Sequence, residues 1–159
     1  MKVKNIMESA SDVLTPETSL KDAIVRMRTA NRSSKQKYPG VKGMIVVDRP
    51  GHPVGMLSML DILREIIPWY LKEDLGSFAW DGMLEAMARK VADRPVGEIM
   101  NRKLITVNQN APLMECAELM GKHNRQRLPV LDDGGSLVGI IYLRDLYYAI
   151  VKAFTGEEK

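Results

Sequence analysis

Residues 54–61 read Val54-Gly55-Met56-Leu57-Ser58-Met59-Leu60-Asp61, and residues 138–145 read Val138-Gly139-Ile140-Ile141-Tyr142-Leu143-Arg144-Asp145. The two stretches share Val-Gly, an apolar pair, and an aspartate six positions after the glycine. Working outward, Met44-Ile45-Val46-Val47-Asp48 matches Leu128-Pro129-Val130-Leu131-Asp132 at the same offset of 84 (44 to 128). Further upstream Leu20, Ala23 and Met27 match Leu113, Cys116 and Met120 at an offset of 93 (20 to 113). Ile6-Met7 and Thr15-Pro16 have counterparts in Ile99-Met100 and Thr106-Val107. The fall from 93 to 84 places nine extra residues in the first copy, within roughly residues 28–42. Agreement in order, residue type and spacing identifies a duplication.

Each copy carries the same coarse pattern. Leu20, Ala23, Ile24 and Met27, and again Leu113, Cys116, Ala117 and Met120, recur at i, i+3, i+4 and i+7, the spacing of one apolar helix face. Two short β-rich runs follow each helix, Met44–Val47 with Val54–Leu57 and Leu128–Leu131 with Leu137–Ile141, joined by turns rich in Pro, Gly and Asp. A second helix then starts near Asp61 or Asp145. The first ends near Pro68, which cannot continue a helix, and the second near Gly156, a C-terminal cap. The expected boundaries are repeat one over 1–68, an inter-repeat segment over 69–92, and repeat two over 93–156. A unit of about 60 residues buries only about 60% of its unfolded surface, so two units sharing one core, packed sheet to sheet, are expected. Between them Trp80, Met83, Leu84, Met87 and Val91 form a helical apolar stripe, read as helix packing, with a lid or partner surface as the other reading.

The composition bounds the possibilities. The chain has 159 residues, 45% hydrophobic and 27% charged, with a net charge of +3, which is globular and not disordered. No apolar run approaches the roughly 18–20 residues of a membrane span, and no apolar segment follows the basic start, so a cytoplasmic protein away from the membrane is expected. The single cysteine, Cys116, excludes an internal disulfide framework and a Cys-rich zinc site, and on its apolar face it reads as core. His52 and His123 have no ligand-like spacing, so no metal is expected; His123, beside Arg125 and Arg127, reads as surface or as a phosphate contact. From Ala23 to Val47 there is no acid, while Arg26, Arg28, Arg32, Lys35, Lys37 and Lys42 fall there. That run is either a solvated helix end and loop or an attractor for phosphate.

The chemistry concentrates at Gly55 to Asp61. A glycine closing a strand permits close approach to the backbone, and a helix start favours an anion. Ser58 can donate to a phosphate oxygen, and Asp61 can accept from both ribose hydroxyls. Together they form a cradle for a nucleoside phosphate. The same Ser58-x-x-Asp61 spacing is also that of a capping box, which only satisfies orphan N–H groups. In the second copy Tyr142 replaces the serine while Asp145 is retained.

The double Ile-Met, Thr, amphipathic helix, apolar strand ending in Asp, and Gly-x-x-x-x-x-Asp resembles a tandem pair of CBS (cystathionine β-synthase) domains, a Bateman module, over nearly the whole chain except residues 69–92 and the insertion. The resemblance implies a mixed α+β fold of two pseudo-symmetric β-α-β-β-α repeats with an inter-repeat helix. It implies AMP, ADP, ATP or S-adenosylmethionine as regulatory ligand, bound in clefts between the copies, with no catalytic cofactor. It also implies energy or metabolite sensing, a homodimer, and an unidentified effector protein acting in trans. Carried over by residue, Asp61 and Asp145 would hold ribose hydroxyls and Ser58 phosphate. Thr15-Pro16 and Thr106-Val107 would meet adenine through backbone groups. Met44-Ile45 and Leu128-Pro129 would wall the base, and Lys42, Arg125 and Arg127 would supply phosphate charge. Tyr142 departs from the Ser or Thr favoured there, so a weaker or altered second site is expected. No nucleophile with an adjacent base, metal set or Walker glycine loop is present in the sequence, which points away from an enzyme. The alternative function is a ligand-free dimerisation scaffold or a nucleic-acid-binding protein using the basic segment 26–42.

Overall fold

The structure, a computed structural model, describes residues 1–10, 12–30, 40–67 and 80–157. It is a mixed α+β protein. Among the described residues the first copy contributes β1 (Val13–Leu14), α1 (Leu20–Thr29), β2 (Gly43–Arg49), β3 (His52–Ser58) and α2 (Met59–Ile66). Next come α3 (Met83–Val91) and α4 (Val96–Ile99). The second copy contributes β4 (Val107–Asn108), α5 (Leu113–His123), β5 (Arg127–Leu131), β6 (Leu137–Tyr142) and α6 (Leu143–Thr155). The strands form two three-stranded sheets, ordered β1-β2-β3 and β4-β5-β6.

Register and caps follow from local sequence. β1 runs parallel to β2 with Leu14 opposite Val46, and β4 runs parallel to β5 with Val107 opposite Val130. Parallel neighbours need a crossover, which α1 and α5 provide. Ser19 caps α1 by accepting from the Asp22 N–H at 3.2 Å. α2 ends at Ile67, immediately before Pro68, and α6 ends at Gly156 with φ +67°, a left-handed cap that glycine adopts without a Cβ clash.

A backbone tie shared by both copies joins the end of the first helix to the approach of the next strand. The Val41 N–H donates to the Met27 carbonyl at 2.9 Å, and the Arg125 N–H donates to the Met120 carbonyl at 3.0 Å. Met27 and Met120 keep the helix offset of 93, whereas Val41 and Arg125 keep the strand offset of 84. The Gly40 N–H donates to the Ala30 carbonyl at 2.7 Å. Arg32, Lys35 and Lys37 lie outside the described residues; Arg26, Arg28 and Lys42 are exposed.

Two compact units form, and they do not follow the sequence repeats. One holds the described residues among 1–10, 49–53 and 103–157; the other holds those among 12–48 and 54–102. The first unit builds its core from Val3, Val107, Cys116, Met120, Leu128, Val130, Ile141 and Leu146, with Ile6 and Met7 packed on it. The second builds its core from Leu14, Leu20, Ala23, Met27, Met44, Val46, Leu57, Val96 and Met100. Each Ile-Met leader therefore packs with the strands of the other copy. Glu8 exchanges backbone hydrogen bonds with Ile140 at 2.9 and 2.8 Å, and Asn101 does so with Met56 at 2.9 and 3.0 Å.

Burial refines the expected faces. Leu20, Ala23 and Met27 are buried, but Ile24, expected on the same face, is 41% exposed. Cys116 is fully buried, and burial, with Glu115 adding to it, pushes its thiol up to about 11. In the stripe ahead of repeat two, Met83 is buried and Met87 and Val91 are half-buried, while Trp80 and Leu84 are exposed; residues 69–79 of that segment lie outside the described residues. α3 lies against α2, and Arg94 forms an ion pair with Glu65. Among the described residues no helix is long and apolar enough to cross a membrane.

The glycines of the two quoted stretches are required by this exchange. A Cβ on Gly139 would stand 2.6 Å from the Glu8 carbonyl oxygen and 2.9 Å from the Met7 Sδ. A Cβ on Gly55 would stand 2.5 Å from the Met100 Sδ and 3.1 Å from the Asn101 oxygen. Gly139→Ala is expected to destabilise by about 1–3 kcal/mol in urea unfolding, because a backbone atom must yield. Gly55→Ala is expected to cost less and to be partly rescued by Met100→Ala, since there the nearest obstacle is a flexible side-chain end.

Candidate functional site

The strand-to-helix junction of the first copy is organised by two side chains. Ser58 is the N-cap of α2; its Oγ accepts from the Asp61 N–H at 3.2 Å, and the Ser58 N–H donates to Asp61 Oδ2 at 2.9 Å. The serine hydroxyl also donates to Asp61 Oδ2 at 2.9 Å. The capping box is thus fully formed, with the Ser58 hydroxyl bonded to Asp61. The box bonds use Asp61 Oδ2, and the residue is half-buried, so an acceptor carboxylate is held in place by its neighbour at the helix start. Lys42 lies beside it: the Met59 N–H donates to the Lys42 carbonyl at 2.9 Å, and the lysine is exposed.

The second copy repeats the backbone and changes the side chains. The Leu143 N–H donates to the Gln126 carbonyl at 2.8 Å, which makes Gln126 the counterpart of Lys42. Arg127 sits directly opposite Tyr142 in the antiparallel β5–β6 pairing, so the structure brings Arg127, Tyr142 and the first turn of α6 with Asp145 to one place. Tyr142 occupies the N-cap without a side-chain cap bond. Arg125 is half-buried, and its Nη2 donates to the Lys103 carbonyl at 3.2 Å. His123 is the last residue of α5, half-buried.

The apolar candidates are interior. Met44, Ile45, Leu128 and Pro129 are all buried in their strands, where they serve as core.

The threonine pairs need correction. Leu14 opposite Val46 and Val107 opposite Val130 make Leu14 the counterpart of Val107, so Thr106 corresponds to Val13 and Thr15 to Asn108. Thr15-Pro16 and Thr106-Val107 are therefore two residues out of step and cannot hold equivalent roles. The backbone groups of Thr15 and Pro16 are also engaged within the chain. The Thr15 N–H donates to Thr18 Oγ1 at 3.3 Å, its carbonyl accepts from the Thr18 N–H at 3.1 Å, and the Pro16 carbonyl accepts from the Gly97 N–H at 2.8 Å. β1 pairs with β2 at Ile45 and Val46, whereas Met59, between Ser58 and Asp61, bonds to Lys42 just before β2. Gly55 is corrected as well: the space above it holds Met100, not a ligand. The repeated Ile-Met was the signal for this, legible as a repeat but not as a partner of the glycine. Among the described residues no three His, Cys, Asp or Glu side chains gather as a metal site would require.

Two copies of this sheet-and-helix unit, each with an acidic residue in the first turn of its second helix, define a tandem-repeat class. The CBS domain family matches residues 3–68 and 96–152, and the chain belongs to that family. An uncharacterized protein of Methanocaldococcus jannaschii is 28% identical over 95% of this chain and 92% of its own. The A-adding tRNA nucleotidyltransferase of Aquifex aeolicus is 24% identical over 94% of this chain, which spans only 14% of that longer protein. Among solved structures, the CBS-pair protein CBSX2 of Arabidopsis thaliana superposes with a TM-score of 0.71 at 24% identity, covering 96% of each chain. CBSX2 in complex with AMP superposes with a TM-score of 0.67, covering 96% of this chain and 98% of that one.

The cap has a measurable weight without any ligand. Ser58→Ala is expected to lower unfolding stability by about 1 kcal/mol in urea titration, the cost of an unsatisfied helix start, with the far-ultraviolet spectrum of the folded state nearly unchanged.

Proposed function

We propose that this chain is a regulatory module that binds an adenosine-containing ligand, AMP, ADP, ATP or S-adenosylmethionine, and passes the binding event to a partner protein, with no chemistry of its own. The observation that carries the reading is the Asp61 carboxylate, fixed at the start of α2 by Ser58 through its Oδ2. A carboxylate is acceptor-only and suits the paired hydroxyls of a ribose. Lys42 stands close enough in the backbone to neutralise a phosphate, and Arg127 does the same work beside Tyr142 in the second copy. The complex of the structurally similar CBSX2 with AMP supports the same ligand class. The serine junction is the tighter site in this reading, because Tyr142 offers no cap bond to its helix.

Ligand-induced stabilisation tests it. At 100 times its dissociation constant a ligand adds about 2.7 kcal/mol, which for a chain of this size raises the melting temperature by roughly 5–10 °C. That rise is expected with at least one member of the adenosine panel and is expected to shrink strongly in Asp61→Ala. A melting temperature unmoved by the whole panel overturns the reading.

Self-association belongs to the same proposal. α6 leaves Leu143, Tyr147, Ile150 and Phe154 exposed at intervals of 4, 3 and 4 residues, the seam spacing of paired helices. A second copy of the chain is the proposed occupant. Light scattering is expected to give a dimer for the native chain and a monomer for Tyr147→Glu at micromolar concentration; a native monomer refutes this part.

A further inference from the structure

Beside the first and second helices of the first copy lies a shallow hollow of about 360 Å³, open on one side to solvent. Its walls are Ile24, Met27, Val41, Met59 and Ile62. The charged side chains on it are Arg28 and Lys42, and neither makes an ion pair with a described residue. Ile24 and Met59 are 41% and 52% exposed, so the apolar lining opens to solvent. The sequence around it adds cations and no acid from Ala23 to Val47.

Such a lining selects its guest. A ribose or a purine edge placed against these five side chains would leave its polar groups without partners, at a real desolvation cost. A hydrocarbon chain incurs no such cost and removes apolar surface from water. The two cations then favour an anionic head. In the second copy the counterparts of Ile24, Arg28 and Lys42 are Ala117, Gly121 and Gln126, so both charges and part of the apolar wall are absent there. The paired cations and the Ile24 wall are features of the first copy.

We propose that this hollow binds an amphipathic carboxylate, with its alkyl chain between α1 and α2 and its carboxylate between Arg28 and Lys42. The site shares Lys42 with the adenosine reading but does not depend on that reading.

Decanoate, kept monomeric, is the probe, with the full chain carrying methyl-labelled Ile and Met for NMR. Saturable shifts are expected at Ile24, Met27, Met59 and Ile62, with decanoate about tenfold tighter than octanoate because two more methylenes are buried. Decanol is expected to bind more weakly, and decyltrimethylammonium not measurably. Arg28→Gln is expected to weaken decanoate severalfold and leave decanol unchanged, and Ile24→Asp is expected to abolish both. Asp61→Ala is expected to remove any AMP response while decanoate binding persists. Shifts that never saturate, or that appear equally with the alcohol and the ammonium, overturn the proposal. So does displacement of decanoate by AMP with joint loss in Asp61→Ala, which would assign the hollow to the adenosine site. A chain that binds decanoate but no member of the adenosine panel upholds the proposal and defeats the adenosine reading alone.

Discussion

The absence of a side chain at residues 55 and 139 is the constraint on which the rest of the architecture depends. Met100 and Met7 fill the space that a Cβ would take, and the chain around them pairs with Met56 and Ile140. Through those contacts each core acquires residues from the far copy's leader, Val3, Ile6 and Met7 in one unit and Val96, Ile99 and Met100 in the other. A unit of about 60 residues is marginal by surface-to-volume scaling, so the borrowed apolar side chains supply burial that a repeat taken alone lacks. Duplication and exchange are then two aspects of one solution to a small core.

The same strand that carries each glycine delivers the second helix, and one short motif does two jobs there. Ser58 and Asp61 satisfy each other and the helix start, which holds the carboxylate still without a ligand. Preorganisation of this kind lowers the ordering cost of binding. Where Tyr142 replaces the serine, the helix begins without a side-chain cap and Arg127 stands opposite the tyrosine, so the two copies share a backbone while differing in chemistry.

The asymmetry extends to the insertion. The entropic cost of closing a connection grows only with the logarithm of its length, so a first copy longer by nine residues between its first helix and second strand is tolerated. The tie is the bond from Val41 to Met27, matched by that from Arg125 to Met120. The sheet register is the same in both copies, Leu14 opposite Val46 and Val107 opposite Val130, and the basic segment belongs to the first copy's sequence.

Much of this was legible in the amino-acid order. The duplication, the two helices and paired strands of each copy, the cap at Ser58, the stop at Gly156 and the interior place of Cys116 all follow from local periodicity and turn chemistry, which act within a few residues. Three features did not follow. Ile24 matches the helical period yet is exposed, because period gives a face but not its width. The two threonine pairs look alike but fall two residues apart in register, since the pairing of β1 and β4 is set by partners some 30 and 20 residues downstream. The reason for Gly55 and Gly139 lay in methionines 45 and 132 positions away, visible as a repeated Ile-Met but not as their neighbours. Sequence by itself determined the elements and their repetition, because those depend on interactions between near neighbours along the chain. Tertiary structure alone decided which copy each leader joins and where the threonines fall, because excluded volume and strand register arise only when distant segments meet.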